Sequence, residues 1–217
     1  MSAGSSALIP PEIIEATTEL ARRDPDLAAC IERVGPCLIR PGLGDYFSSL
    51  VRAIAYQQLA GKAAAAIHGR FIVSVGGTVT PEAVMATPEA ALRAAGMSAA
   101  KTASIRDLAA RVLDGTVPLD GIEAYSDDEI IERLVLVRGI GRWTAEMFLL
   151  FELRRLDVWP VDDFAVRKGY ARIHHLEDMP KPKALMALGE IYRPWRSIAA
   201  WYCWRGSETT FLPEAPA

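Results

Sequence analysis

The apolar run Leu134-Val135-Leu136-Val137 stops at Gly139-Ile140-Gly141, and a new segment starts at once with Arg142-Trp143-Thr144-Ala145. Further along, Asp162 and Asp163 stand ahead of Phe164-Ala165-Val166-Arg167-Lys168. A helix that ends before the glycines leaves carbonyls unpaired, and one that starts after them leaves N–H groups unpaired. Glycine lets backbone approach a ligand with no Cβ in the way. Unpaired N–H groups at the positive end of a helix make an anion site suited to a phosphate. The unpaired carbonyls, those of Val135, Val137 and Ile140, could hold a monovalent cation such as Na+ or K+ beneath that phosphate. A carboxylate close by in sequence could then act on the adjoining nucleotide. The same residues also fit an ordinary tight turn followed by a helix whose first turn the two aspartates cap.

The rest of the chain must position these groups. Its 217 residues are 51% hydrophobic, enough for one large domain or two small ones with a real core. No apolar run reaches the roughly 20 residues of a membrane span. Met1 to Ser6 has no basic or long apolar stretch and reads as a short tail rather than a signal peptide. Cys30, Cys37 and Cys203 show no metal-ligand spacing, and an odd, scattered set argues for a reducing, cytoplasmic compartment. The net charge of −3 counts against nucleic-acid binding. Between Arg138 and Arg172, however, seven basic residues face five acidic ones, a local net of +2.

Almost every segment carries the three- and four-residue apolar spacing of helix. The pattern predicts helices over 11–23, 25–34, 45–59, 62–75, 81–86, 88–95, 99–114, 127–137, 142–154, 162–173, 182–192 and 194–204. Asp24-Pro25, Thr80-Pro81 and Thr87-Pro88 each place a cap before a proline at the first helical position. Ser126 to Glu129 is a capping box. Gly96 and Gly115 mark helix ends. Val73 to Val79 alternates weakly, but its two glycines suit a helix end and loop. Breakers at Pro36–Gly44 and at Leu156–Val161 predict an all-α chain of two helical subdomains. One is central, 45–156, ending in a helix-hairpin-helix at about 127–154. The other joins 1–44 to 157–217, with a DNA-binding cleft between the two beside Asp162 and Asp163.

The block from Leu134 to Lys168 resembles the helix-hairpin-helix (HhH-GPD) superfamily of base-excision DNA glycosylases. That family carries a Gly-(Ile/Val)-Gly-x-x-Thr-Ala hairpin followed by a catalytic aspartate. Arg52-Ala53-Ile54-Ala55-Tyr56-Gln57-Gln58-Leu59, the hairpin, Asp162 to Lys168 and Pro194-Trp195-Arg196-Ser197 are together similar to the alkylation-repair branch, DNA-3-methyladenine glycosylase II, over residues 45–205. Larger bacterial members have an additional N-terminal α/β domain, so the chain resembles a compact form.

The resemblance implies roles residue by residue. The family's catalytic aspartate opens Asp-x-x-(Val/Ile)-x-(Arg/Lys), which Asp163 fits through Val166 and Lys168, whereas Asp162 shifts the register by one. Gly139, Ile140, Gly141, Arg142 and Thr144 would form the DNA-binding hairpin. Strand-cutting relatives carry a Schiff-base lysine where this chain has Trp143, which implies a monofunctional enzyme. Trp143 and Trp204 would wall the base pocket, with Tyr56 and Trp201 as further candidates. Each is also an ordinary core residue type. Gln58, with Leu59 next, would fill the gap left by a flipped base; alternatively Leu59 is core and the glutamines end a helix. Iron–sulfur relatives need four clustered cysteines, and only Cys203 lies in that region, so neither a cluster nor an organic cofactor is expected. His174-His175 reads as a surface turn past the motif.

The expected substrate is therefore double-stranded DNA containing 3-methyladenine or 7-methylguanine, handled by a monomer with no membrane association, nucleoid-associated if bacterial. Rival readings are a related enzyme for uracil, hypoxanthine or ethenoadenine, and a catalytically silent hairpin module that holds DNA.

Overall fold

The computed structural model describes residues 9–39 and 45–208. The expected tail Met1–Ser6 and the breakers Pro41, Gly42 and Gly44 lie outside them. In chain order the α-helices are α1 (Pro11–Arg23), α2 (Pro25–Val34), α3 (Tyr46–Tyr56), α4 (Gly61–Ser74), α5 (Pro81–Ala86) and α6 (Glu89–Ala94). They continue with α7 (Ala99–Leu113), α8 (Asp127–Leu134), α9 (Arg142–Met147), α10 (Phe164–Ile173), α11 (Pro182–Leu188) and α12 (Arg196–Ser207). The described residues contain no strand, so the architecture is all-α.

Local chemistry explains most of the boundaries. Asp24 accepts the Asp26 and Leu27 N–H groups, and Thr80 accepts the Ala83 N–H, each ahead of a proline in the first turn. Ser126 and Glu129 close both halves of the capping box that starts α8. Thr87 departs from its expected role. Its hydroxyl donates back to the Ala83 carbonyl at 2.7 Å, so it closes α5 instead of opening α6.

Several ends differ from the apolar pattern: α11 stops at Leu188 and α12 runs from Arg196 to Ser207, and four more differences bear on the site. Helix α3 stops at Tyr56 and α8 at Leu134, each three residues early. Beyond α8 the Leu136 and Val137 N–H groups reach only three residues back, to Arg133 and Leu134, which tightens the chain into the hairpin. The segment after α9 widens into a π-turn over Phe148–Glu152. Helix α10 starts at Phe164 because Asp163 is its cap.

The chain divides into two compact units, Met1–Arg40 with Arg154–Ala217, and Pro41–Leu153. In the first, Ile13, Leu20, Leu27, Val166, Leu185 and Ile198 are buried in one core. Helices α10 and α12 approach so closely there that a Cβ on Gly169 would lie 1.7 Å from the Cys203 carbonyl oxygen. Behind them, Tyr192 donates to Asp24 at 2.5 Å and lies 3.1 Å from His174 Nε2. His174 is therefore part of an interior network, not of a surface turn, while its neighbour His175 is exposed at φ +52°. Burial, reinforced by the Asp24 carboxylate, pushes the Tyr192 hydroxyl far above its usual range. In the second unit Leu50, Val51 and Ile54 of α3, Phe71 of α4 and Ile105 and Leu108 of α7 are all buried. Each such side chain contributes about 1.5–3 kcal/mol of burial free energy, which fixes α3 and α7, the helices that flank the hairpin.

Candidate functional site

In the second unit the hairpin is held from its concave side. Gly139 adopts φ +78°, and a Cβ there would meet Ser104 Oγ at 2.6 Å. The Arg138 N–H donates to Asp107 at 2.7 Å. Burial works against the charge on Asp107, but that N–H and the Arg111 guanidinium more than offset it and hold its carboxyl below the usual range. Ile140 is buried, so its side chain anchors the turn. Gly141 differs from Gly139. Its φ of −97° is open to any residue, and a Cβ would meet nothing within 4 Å. The Ala145 N–H makes the first bond of α9, to the Gly141 carbonyl, so the amides before it precede the helix's own ladder.

The side chains after the glycines diverge. Arg142 is exposed and pairs with the buried Glu146 at 3.0 Å. Trp143 remains 47% exposed, a large area for a tryptophan in the first turn of a helix. Thr144, expected in the DNA-binding hairpin, is only 7% exposed and turns inward. It lines a cavity of about 270 Å³ with Arg52, Tyr56, Phe148, Phe151 and Glu152. The Arg52 guanidinium lies 4.6 Å over the Tyr56 ring. One oxygen of Glu152 is buried there with no hydrogen-bond partner among the described residues. Arg52, Tyr56 and Thr144 lie in the motifs quoted above, whereas Phe148, Phe151 and Glu152 carry no sequence pattern of their own. They become neighbours only because α3 packs against the π-turn.

Past α3 the chain turns through Gln57, Gln58 and Leu59. Gln58 is exposed at φ +56°, and Leu59 is 40% exposed, so it is not core. The Gln57 side-chain amide donates to the Gly139 carbonyl at 3.0 Å. Lys101 donates to the Ala55 and Gln57 carbonyls at 2.7 and 2.8 Å. Sequence reasoning gave Gln57 no more than the end of a helix and passed over Lys101.

In the first unit Asp163 is buried at 7% exposure, whereas Asp162 is exposed. One Asp163 oxygen accepts the Val166 N–H at 2.8 Å as the α10 cap and the Trp204 Nε1–H at 3.1 Å. Thus a single carboxylate has the capping role and the buried position that the sequence could divide between two. Trp204 reaches it because Cys203, one residue earlier on α12, rests on Gly169 of α10. Trp201 lies one turn before Trp204, packs edge-on to Tyr202 at 4.9 Å, and has Arg205 over its ring at 5.9 Å.

Two sets of groups could hold a cation. At the hairpin, the Val137 carbonyl accepts the Ile140 N–H at 3.0 Å, which leaves one lone pair for an ion. Asp24, Asp26 and His174 bring ligand-type atoms within 4.8 Å of one another. Both Asp24 oxygens are already hydrogen-bonded in the interior network.

A family model described as HhH-GPD superfamily base excision DNA repair protein matches residues 51–194. The chain belongs to that superfamily. It is 42% identical over 165 residues to DNA-3-methyladenine glycosylase 1 of Schizosaccharomyces pombe, covering 75% of this chain and 72% of the relative. The solved complex of the S. pombe 3-methyladenine DNA glycosylase with abasic DNA superposes with a TM-score of 0.80 at 36% identity, over 92% of this chain and all of that one. The crystal structure of a DNA-3-methyladenine glycosidase from Bacillus halodurans superposes at 0.83 and 34% identity, over 90% of each chain. The superfamily's hairpin thus corresponds to the α8–α9 turn, within the matched segment that also contains Asp163.

Proposed function

We propose that this protein is a monofunctional DNA N-glycosylase of the DNA-3-methyladenine glycosylase II type. It releases alkylated bases from double-stranded DNA as the first step of base-excision repair. The observation that carries this reading is the buried Asp163 carboxylate, hydrogen-bonded to Trp204, in a chain that has Trp143 in place of a Schiff-base lysine.

A base inside the duplex cannot be reached, so it must be extruded. Gln58 and Leu59, exposed on the turn after α3, are the side chains assigned to the vacated space. Alkylation at a ring nitrogen makes 3-methyladenine and 7-methylguanine cationic and good leaving groups. A cation over an aromatic face gains about 0.5–2 kcal/mol per contact, the role assigned to Trp143 and Trp204, with Tyr56 and Trp201 as further walls. As the glycosidic bond breaks, positive charge develops on the sugar. Asp163 stabilises that charge and orients the attacking water. The Trp204 N–H fixes the carboxylate so that it need not reorganise. The leaving group already carries its charge, so the step needs no strong general acid.

The hairpin serves as the phosphate holder. Its outward amides meet the phosphate, and the open space over Gly141 is where backbone and DNA approach. A Na+ or K+ on the carbonyls of Val135, Val137 and Ile140 would add positive charge beneath the phosphate. Replacing both ions by choline at constant ionic strength would then weaken DNA binding; equal affinity in choline would dismiss the cation.

The test is release of free base from duplexes containing 3-methyladenine and 7-methylguanine, wild type beside Asp163→Asn. Release that collapses in the variant supports the reading. Absence of release with DNA binding intact would replace it by another lesion or a silent binder, which uracil, hypoxanthine and ethenoadenine duplexes would distinguish.

A further inference from the structure

The turn that carries Gln58 and Leu59 is not backed by packed core. Behind it lies a recess of about 230 Å³, lined by Gln58, Leu59, Ile67, Gly96 and Lys101 among others. Gln58 also adopts φ +56°, a conformation that residues other than glycine take rarely. Something other than packing must hold the turn. The Lys101 ammonium donates to the carbonyls of Ala55, at 2.7 Å, and Gln57, at 2.8 Å. It thereby ties the last turn of α3 to the residue immediately before Gln58. An ammonium offers three donors and no acceptor, and a cation at a helix C-terminus meets the negative end of its dipole. Lys101 is itself fixed by its place in the first turn of α7, where Ser98 caps its N–H at 3.2 Å. Gln57 adds a second tie, to Gly139 of the hairpin.

From this arrangement we infer that Lys101 is a positioning residue for base extrusion, holding the Gln58–Leu59 turn in the geometry that enters the duplex. The inference rests on the glycosylase reading and on those two residues as the wedge. Lys101 touches no reacting atom; it acts through the backbone of the turn. A merely structural lysine would stabilise the fold without regard to how firmly the target base is paired. A positioning lysine matters most when extrusion is hardest.

The experiment compares Lys101→Met, Lys101→Arg and Gln58→Ala with wild type on two duplexes. One carries 7-methylguanine opposite cytosine, and the other carries it opposite a tetrahydrofuran abasic analogue, so the base is unpaired. A 2-aminopurine beside the lesion reports unstacking at saturating protein. Lys101→Met, which removes both charge-assisted hydrogen bonds, should slow release from the paired duplex by about tenfold or more, with a clearly smaller loss on the orphan base and a weaker 2-aminopurine signal. Lys101→Arg should recover most of the rate, and Gln58→Ala should show the same pairing-dependent loss. Should Lys101→Met not fold, Lys101→Gln is read in the same way. Equal losses on both duplexes, or none, would overturn the role of Lys101 and leave the glycosylase reading standing. A Gln58→Ala variant with no pairing-dependent loss would overturn the wedge assignment and the inference with it. A wild-type protein that releases no methylated base would overturn the reading itself.

Discussion

Asp163 closes the first turn of α10 through the Val166 N–H and holds the Trp204 indole through the same oxygen. Asparagine caps a helix about as well as aspartate, and its side-chain oxygen can still accept both bonds. Asp163→Asn should therefore keep its melting temperature within about 2 °C of wild type, while base release falls by roughly 100-fold or more, the loss typical of removing a stabilising group from a transition state. A melting temperature that drops along with the activity would instead make Asp163 a structural cap. At this scale the sequence was informative where function and local pattern coincide. Asp163 stands at fixed steps from Val166 and Lys168, and Gly139 breaks an apolar run. It was silent where partners meet only through the fold. Trp204 lies 41 residues from Asp163, and Lys101 lies 44 from the Gln57 carbonyl it holds. Thr144 and Ile140 carry the right letters for the hairpin motif, yet both side chains face inward, because a motif records spacing and not which face a side chain takes.

Among the elements, the hairpin offers a paired test in its two glycines. Gly139 needs to be glycine for the fold, since its φ is +78° and Ser104 stands where a Cβ would go. Gly139→Ala should cost about 1–2 kcal/mol from the left-handed backbone alone, plus a shift of Ser104. Gly141 has no such demand. Gly141→Ala should leave thermal stability within about 0.5 kcal/mol and still weaken binding to a lesion-free duplex. Unchanged affinity for Gly141→Ala would remove that position from the DNA contact. A second close approach, α10 on α12, predicts that Gly169→Ala is destabilised by about 3 kcal/mol, the upper end for overpacking, because the Cys203 carbonyl is backbone and cannot rotate aside. Near-native denaturant stability for that variant would contradict the packing described. The helices themselves were largely legible, because caps at Asp24, Thr80 and Ser126 and the apolar spacing act locally. What escaped was set by tertiary contact: the early end of α8, whose last residues tighten into the turn, and the π-turn at Phe148–Glu152, which brings aromatic side chains to the cavity against α3.

For the whole molecule, charge sets the terms of DNA binding. The chain is acidic overall, with a net charge of −3, so its long-range field does not draw it toward DNA. Affinity must come from a small number of phosphate contacts in the locally basic stretch that begins at Arg138. Each neutralised phosphate releases counterions, and log K falls with log salt at a slope of about −0.9 per contact. A small contact set predicts a shallow slope and an association that gains little from steering. Arg138 is exposed on the hairpin, while its N–H anchors the turn to Asp107. Arg138→Gln keeps that N–H and removes only the charge. It should reduce the slope by about one contact, weakening binding to damaged and undamaged duplexes alike. Measured by fluorescence anisotropy across a salt series, an unchanged slope would mean that the phosphate is held by the hairpin's backbone amides without Arg138. A loss confined to the damaged duplex would move Arg138 from holding the phosphate to reading the lesion.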